Sequence, residues 1–211
     1  DVAPAIREWT GGQPQVLVGH SLGGLTAAAL AARHPELVRE LVLVDISPGI
    51  DPNGAASSIR AFFAGPTDWS SREELVDRAL SFGLGGSREA ATRGVSLNSR
   101  VRPDGRVEWK HHFAHLANRL AADPDAAAAV DDAQRADAGI LSAAGWDDLA
   151  AVAAPVTLIT GTRGFLTDAD REEFLRRVPT AAHVALDSAH NVQEEQPAEL
   201  ADAVRSAYDG R

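Results

Sequence analysis

The apolar run Val16-Leu17-Val18 leads straight into Gly19-His20-Ser21-Leu22-Gly23-Gly24, and an Ala- and Leu-rich stretch from Leu25 to Arg33 follows at once. The apolar run suits a strand buried on both faces. The Ala/Leu-rich stretch favours a helix, which His34-Pro35 ends. The chain must therefore turn sharply from strand to helix at Ser21. A serine at such a turn sits in strained backbone and projects its hydroxyl clear of the sheet. Side chains flanking it would meet the neighbouring strand and helix, which predicts that Gly19 and Gly23 are required. His20 precedes the serine, so its side chain is expected to point away from it, in a structural role. The Leu22 amide falls at the helix N-terminus, where it can donate to a developing oxyanion. A Walker-type phosphate loop would need a lysine here, and none is present.

Further along, Leu41-Val42-Leu43-Val44 reads as a second buried strand ending in Asp45. Two apolar strands joined by a helix imply a βαβ unit and a parallel sheet. From about Ser47 to Ala150 the strand pattern fades, with helical runs at Ser71–Phe82, Trp109–Ala121 and Pro124–Ala138. The alternation then resumes: a strand at Pro155–Thr160, a helix at Asp168–Arg177, a strand at Ala182–Leu186 and a closing helix at Pro197–Tyr208. The expected fold class is α/β, a mostly parallel sheet flanked by helices. Residues 1–48 and 151–211 form its core, and 49–150 form a helical cap insertion.

A serine hydroxyl becomes a useful nucleophile only when a base takes its proton. Of the seven histidines, His190 lies just past a late strand, and sites assemble at the C-terminal ends of parallel strands. His34 reads as a helix-end residue and His183 as a strand residue. His111, His112 and His115 fall in the insertion, with no acidic partner at helical spacing to complete a metal site. The base needs a carboxylate to orient it. Asp45 ends the strand beside the nucleophile's strand, and parallel neighbours lie about 4.8 Å apart. Asp168 and Asp170 compete, although both also suit the first turn of the following helix.

The run Gly19 to Gly24, the helix end Arg33-His34-Pro35 and the stretch Leu-Val-Leu-Val-Asp resemble the α/β-hydrolase superfamily. Asp45-Ile46-Ser47-Pro48 is similar to its small capped esterases and carbon–carbon hydrolases. The resemblance implies Ser21 as nucleophile, His190 as base after the last strand, and the chain order Ser, acid, His. The commoner arrangement in that family places the acid in a Gly-x-x-Asp pattern, but Gly161-Thr162-Arg163-Gly164 carries glycine there. Some members use the acid at the earlier strand end, which keeps Asp45 in play beside Asp168 and Asp170. The resemblance also implies strands ahead of the nucleophile strand, with a loop supplying a second oxyanion donor. The chain begins at Asp1 and contains no methionine, and the expectation is that it is a fragment lacking those strands. The implied chemistry is hydrolysis of a small ester, lactone or thioester through an acyl-enzyme, with no cofactor or metal. Carbon–carbon bond hydrolysis is the nearest alternative, and a non-catalytic ligand-binding protein is the rival from another class.

The net charge of −10 disfavours nucleic acid and anionic membrane surfaces as partners. A small ester-like molecule is the expected one, and a cytoplasmic location the expected compartment. With no cysteine, thiol nucleophiles and disulfides are excluded. Phe62, Phe63, Trp69, Trp109, Phe113 and Trp146 all fall in the middle segment. They are expected either to line an apolar pocket over Ser21 or to pack the insertion's own core.

Overall fold

A computed structural model describes residues 2–50, 62, 65–82, 86–110, 115 and 142–209. The chain divides into two compact units, one of residues 1–50 with 138–211 and one of residues 51–137. In chain order the first unit opens with α1 (Val2–Thr10), β1 (Gln15–His20), α2 (Leu22–Arg33) and β2 (Val38–Val44). The second unit supplies β3 (Asp68–Trp69), α3 (Arg72–Ser81), α4 (Arg88–Asn98), β4 (Ser99–Val101) and β5 (Val107–Trp109). The first unit resumes with α5 (residues 142–151) and β6 (Val156–Arg163). It closes with α6 (Asp168–Arg177), β7 (Ala182–Ala189), α7 (Val192–Glu195) and α8 (Pro197–Asp209).

The first unit is a four-stranded sheet in the order β1-β2-β6-β7, parallel throughout. One face packs α1, α2, α5 and α6 through Ala3, Ala28, Leu149 and Phe174 onto Leu41, Leu43 and Leu158. The other packs α7 and α8 through Val192, Leu200 and Val204 onto Val42, Val44 and Ile159. The alternation of β2 thus feeds both layers, which is why its residues are apolar without a break. Phe174 is fully buried, and its truncation to Ala would cost about 3–5 kcal/mol.

The second unit corrects the expectation of a purely helical insertion. Its strands form an antiparallel sheet in the order β3-β5-β4. Trp109 ends a strand and does not begin a helix. Such strands, of two or three residues, are too short to show alternation. The helix expected at Ser71–Phe82 is present, with Ser71 accepting from the Glu74 amide as N-cap. The helix at Arg88–Asn98, capped in the same way by Ser87, was not anticipated. The runs expected at 110–121 and 124–138 lie outside the described residues apart from Lys110 and His115. The boundary also differs from the expected 150: α5 belongs to the first unit, because Leu149 is buried in that unit's core and Trp146 packs against it.

Candidate active site

The nucleophile candidate, the favoured acid and the base candidate each follow the C-terminal end of a strand. Ser21 follows β1, Asp45 follows β2 and His190 follows β7. The register pairs His20 with Val44, and the Ser21 amide donates to the Val44 carbonyl at 3.0 Å. Ser21 itself has φ +53° and ψ −133°, a region that L-residues other than glycine rarely occupy. Its strained backbone lifts it out of the strand as α2 begins.

Two glycines make that turn possible, and they are not the pair expected. A Cβ on Gly19 would stand 2.5 Å from the Gly23 carbonyl oxygen and from the Gly24 Cα. A Cβ on Gly24 would stand 2.4 Å from Ile46 Cγ2. Gly23 has open space around it. Strand-to-helix packing therefore demands Gly19 and Gly24, and the requirement placed on Gly23 is withdrawn. Leu22 is the first residue of α2, so its amide is among the N–H groups that have no acceptor within the helix.

Asp45 is completely buried and also has positive φ, +50°, which Asp tolerates better than most residues. Its Oδ1 accepts the Gly161 amide at 3.1 Å. Its Oδ2 accepts the Phe165 amide at 2.7 Å and, at 2.8 Å, the Nδ1–H of His190. A buried carboxylate needs this set of donors to offset its lost hydration. With Nδ1 bonded to the carboxylate, the Nε2 of His190 is left available for a proton from a hydroxyl. A Cβ on Gly164 would lie 2.2 Å from Asp45 Oδ1 and 2.4 Å from Oδ2. The Asp45 carboxylate thus occupies the space that a side chain at position 164 would need.

The two rival aspartates are engaged elsewhere. Asp170 completes a capping box with Thr167 at the start of α6. Asp168 is exposed and pairs with Arg171 at 2.7 Å. Neither hydrogen-bonds to His190 among the described residues.

His20 does not point away from the site. Its Nε2–H donates to the His190 carbonyl at 2.8 Å, and the two rings lie 4.5 Å apart. Burial chiefly, and then the neighbouring imidazole, hold His20 below its ordinary value of 6.5, against the hydrogen bond to that carbonyl. The His190 ring also stacks on Phe165, centroids 3.5 Å apart and planes within 6°. No pattern in the sequence pointed to Phe165, because an apolar residue in a loop carries no chemical signature. The nearest signal was the glycine standing where the family's commoner acid belongs, one residue earlier.

Of the aromatics expected either to line a pocket or to pack a core, those among the described residues pack. Phe62, Trp69 and Trp109 form the core of the second unit, with edge-to-face ring contacts of 5.6 and 5.7 Å. Trp146 packs on Phe174 in the first unit, with the Arg177 guanidinium 4.6 Å from its ring centre. Phe63 and Phe113 lie outside the described residues, as do His111 and His112.

The family described as alpha/beta hydrolase fold matches residues 1–197. This chain belongs to the α/β-hydrolase family. Among the relatives of this α/β-hydrolase is esterase Rv0045c of Mycobacterium tuberculosis, 34% identical over the whole chain. The chain spans 65% of that esterase's length. The crystal structure of the esterase superposes with a TM-score of 0.68, covering 99% of this chain and 65% of that one. The mouse sn-1-specific diacylglycerol lipase ABHD11 is 39% identical over 51% of this chain and 36% of its own length. The structure of E-2-(acetamidomethylene)succinate hydrolase, 21% identical, superposes with a TM-score of 0.76 over 99% of this chain and 71% of that one. At that identity it speaks for the fold alone. No helix among the described residues is long and apolar enough to cross a membrane.

Proposed function

We propose that this α/β-hydrolase cleaves small carboxylic esters, lactones or thioesters through an acyl-enzyme on Ser21. The observation that carries the reading is the hydrogen bond of 2.8 Å between His190 Nδ1 and the fully buried Asp45, set beside a strained Ser21. His190 Nε2 accepts the Ser21 proton as the hydroxyl oxygen attacks the acyl carbon. Asp45 holds the imidazole in the productive tautomer and stabilises the cation that forms. The Leu22 amide, at the N-terminus of α2, donates to the oxyanion. His190 then returns the proton to the leaving group, and water repeats the sequence to release the acid. The esterase and lipase names of the relatives support an ester over other acyl compounds as the substrate class.

Fluorophosphonate labelling followed by peptide mass spectrometry tests this directly. The expected label is on Ser21. It is lost in Ser21→Ala and His190→Ala, together with hydrolysis of a short-chain p-nitrophenyl ester. Asp45→Asn should lower kcat by about 10⁴, the loss seen when a triad base is left in the wrong tautomer, whereas Asp168→Asn should leave it unchanged. Labelling of any other residue, or full activity in Ser21→Ala, would overturn the assignment. A folded chain that binds ester-like ligands without labelling or turnover would make it a binding protein.

A further inference from the structure

The His190 imidazole contacts two rings, and the contacts differ in kind. His20 is tilted by 43° at 4.5 Å, whereas Phe165 is parallel within 6° at 3.5 Å. Two neutral aromatic rings avoid a face-to-face sandwich, because their negative faces repel, and prefer offset or edge-to-face arrangements. A cation over a phenyl face is instead attracted by that negative face. The stacking found here is therefore poor for a neutral imidazole and favourable for an imidazolium. The Phe165 amide also donates to Asp45 Oδ2, the oxygen that receives His190 Nδ1–H. One residue thus holds the acid with its backbone and faces the base with its ring. During the reaction the positive charge on His190 arises as the Ser21 proton passes to Nε2, so an attraction to that charge acts in the transition state more than in the resting enzyme with a neutral imidazole.

We infer that Phe165 is a positioning residue whose ring face stabilises the imidazolium of His190 as it forms. This rests on the acyl-enzyme reading above. Among the described residues the titratable groups in contact with His190 are Asp45 from the end of β2 and His20 from the end of β1. Glu195 of α7, paired with Arg163, accepts the Ala189 amide one residue away. None of these is altered by a change of the Phe165 ring, and the Phe165 amide survives any substitution except proline. The effect of the ring is thereby separable from that of the backbone.

The test compares Phe165 with Phe165→Leu and with 3,4,5-trifluorophenylalanine at position 165. The fluorinated ring keeps its shape but loses its negative face. In both variants kcat/KM for a short-chain p-nitrophenyl ester should fall by about threefold to thirtyfold. The acid limb of its pH profile should move to lower pH by about half a unit to one unit. Phe165→Trp, with a richer face, should hold the limb at or above its wild-type pH. The ring-proton NMR titration of His190 in the intact chain should move in the same direction, and it needs no turnover. A midpoint that stays at its wild-type pH in the fluorinated variant overturns the inference, even if Phe165→Leu is impaired, since shape alone would then account for the loss. If Phe165→Leu does not fold, the fluorinated variant decides alone. If the wild-type chain neither labels nor turns over, the acyl-enzyme reading fails by itself, and the NMR titration still decides whether the phenyl face holds the cation.

Discussion

Position 164 shows how one residue's absence of a side chain places another's charge. Asp45 can bring its carboxylate to His190 only because Gly164 leaves the space open. Gly164→Ala should therefore displace the acid and lower kcat by at least tenfold, with the fold retained, as read by esterase assay beside far-UV circular dichroism. The converse change is more informative. Asp45→Gly removes the carboxylate, and Gly at that positive φ is unstrained. Adding Gly164→Asp then supplies a carboxylate rooted in the vacated space. The double variant should recover at least tenfold of the activity that Asp45→Gly loses. A double variant no better than the single one would show that position 164 cannot aim a carboxylate at His190. Ser21, His190 and Asp45 stood out in the sequence because their residue types carry chemistry and each follows an apolar strand. The choice among Asp45, Asp168 and Asp170 needed coordinates, since it turns on which loop folds back over the sheet. The contacts of His20 and Phe165 with His190 were hidden for the same reason.

Within elements, the β1–α2 turn separates two kinds of glycine. Gly19 and Gly24 are fixed by close approach, and Gly23 is an exposed helix residue with free space around it. Gly23→Ala should stabilise the chain by about 0.5–1 kcal/mol through helix propensity and a less flexible unfolded state. Gly19→Ala should destabilise it by about 1–3 kcal/mol, because the colliding atoms are backbone and cannot step aside. Urea denaturation midpoints of the two variants check both signs. Loss of stability in Gly23→Ala would mean that the first turn of α2 is tighter than its geometry indicates. The core strands were legible because burial on both faces writes a continuous apolar run. The small sheet of the second unit was not. Its residues Trp69, Val107 and Trp109 carry too few positions per strand to show a period, and aromatic residues read equally well as helix core.

At the scale of the molecule, the candidate site draws on all four strands of the first unit, with Ser21, Asp45 and His190 following β1, β2 and β7 and Gly161 lying near the C-terminal end of β6. It therefore lasts only as long as the whole sheet does, and pH acts on that sheet through residues that do no chemistry. His20 and His183 are both held below 6.5, in each case chiefly by burial. Below pH 6.5 the unfolded chain binds protons at these positions that the folded chain refuses. Stability is therefore complete above about pH 6.5 and falls as pH drops below it. The carboxylates Glu36, Asp68, Glu74 and Glu173 are lowered by their own hydrogen bonds, so their contribution is lost only at more acid pH, below their ordinary range near 4. Two separate declines are expected. His183→Gln can keep the hydrogen bond to Thr160 Oγ1 but cannot titrate. Its urea midpoint should fall less than that of the wild type between pH 7.5 and 5.5. An equally steep fall in both proteins across the upper window would show that His183 accepts its proton while folded.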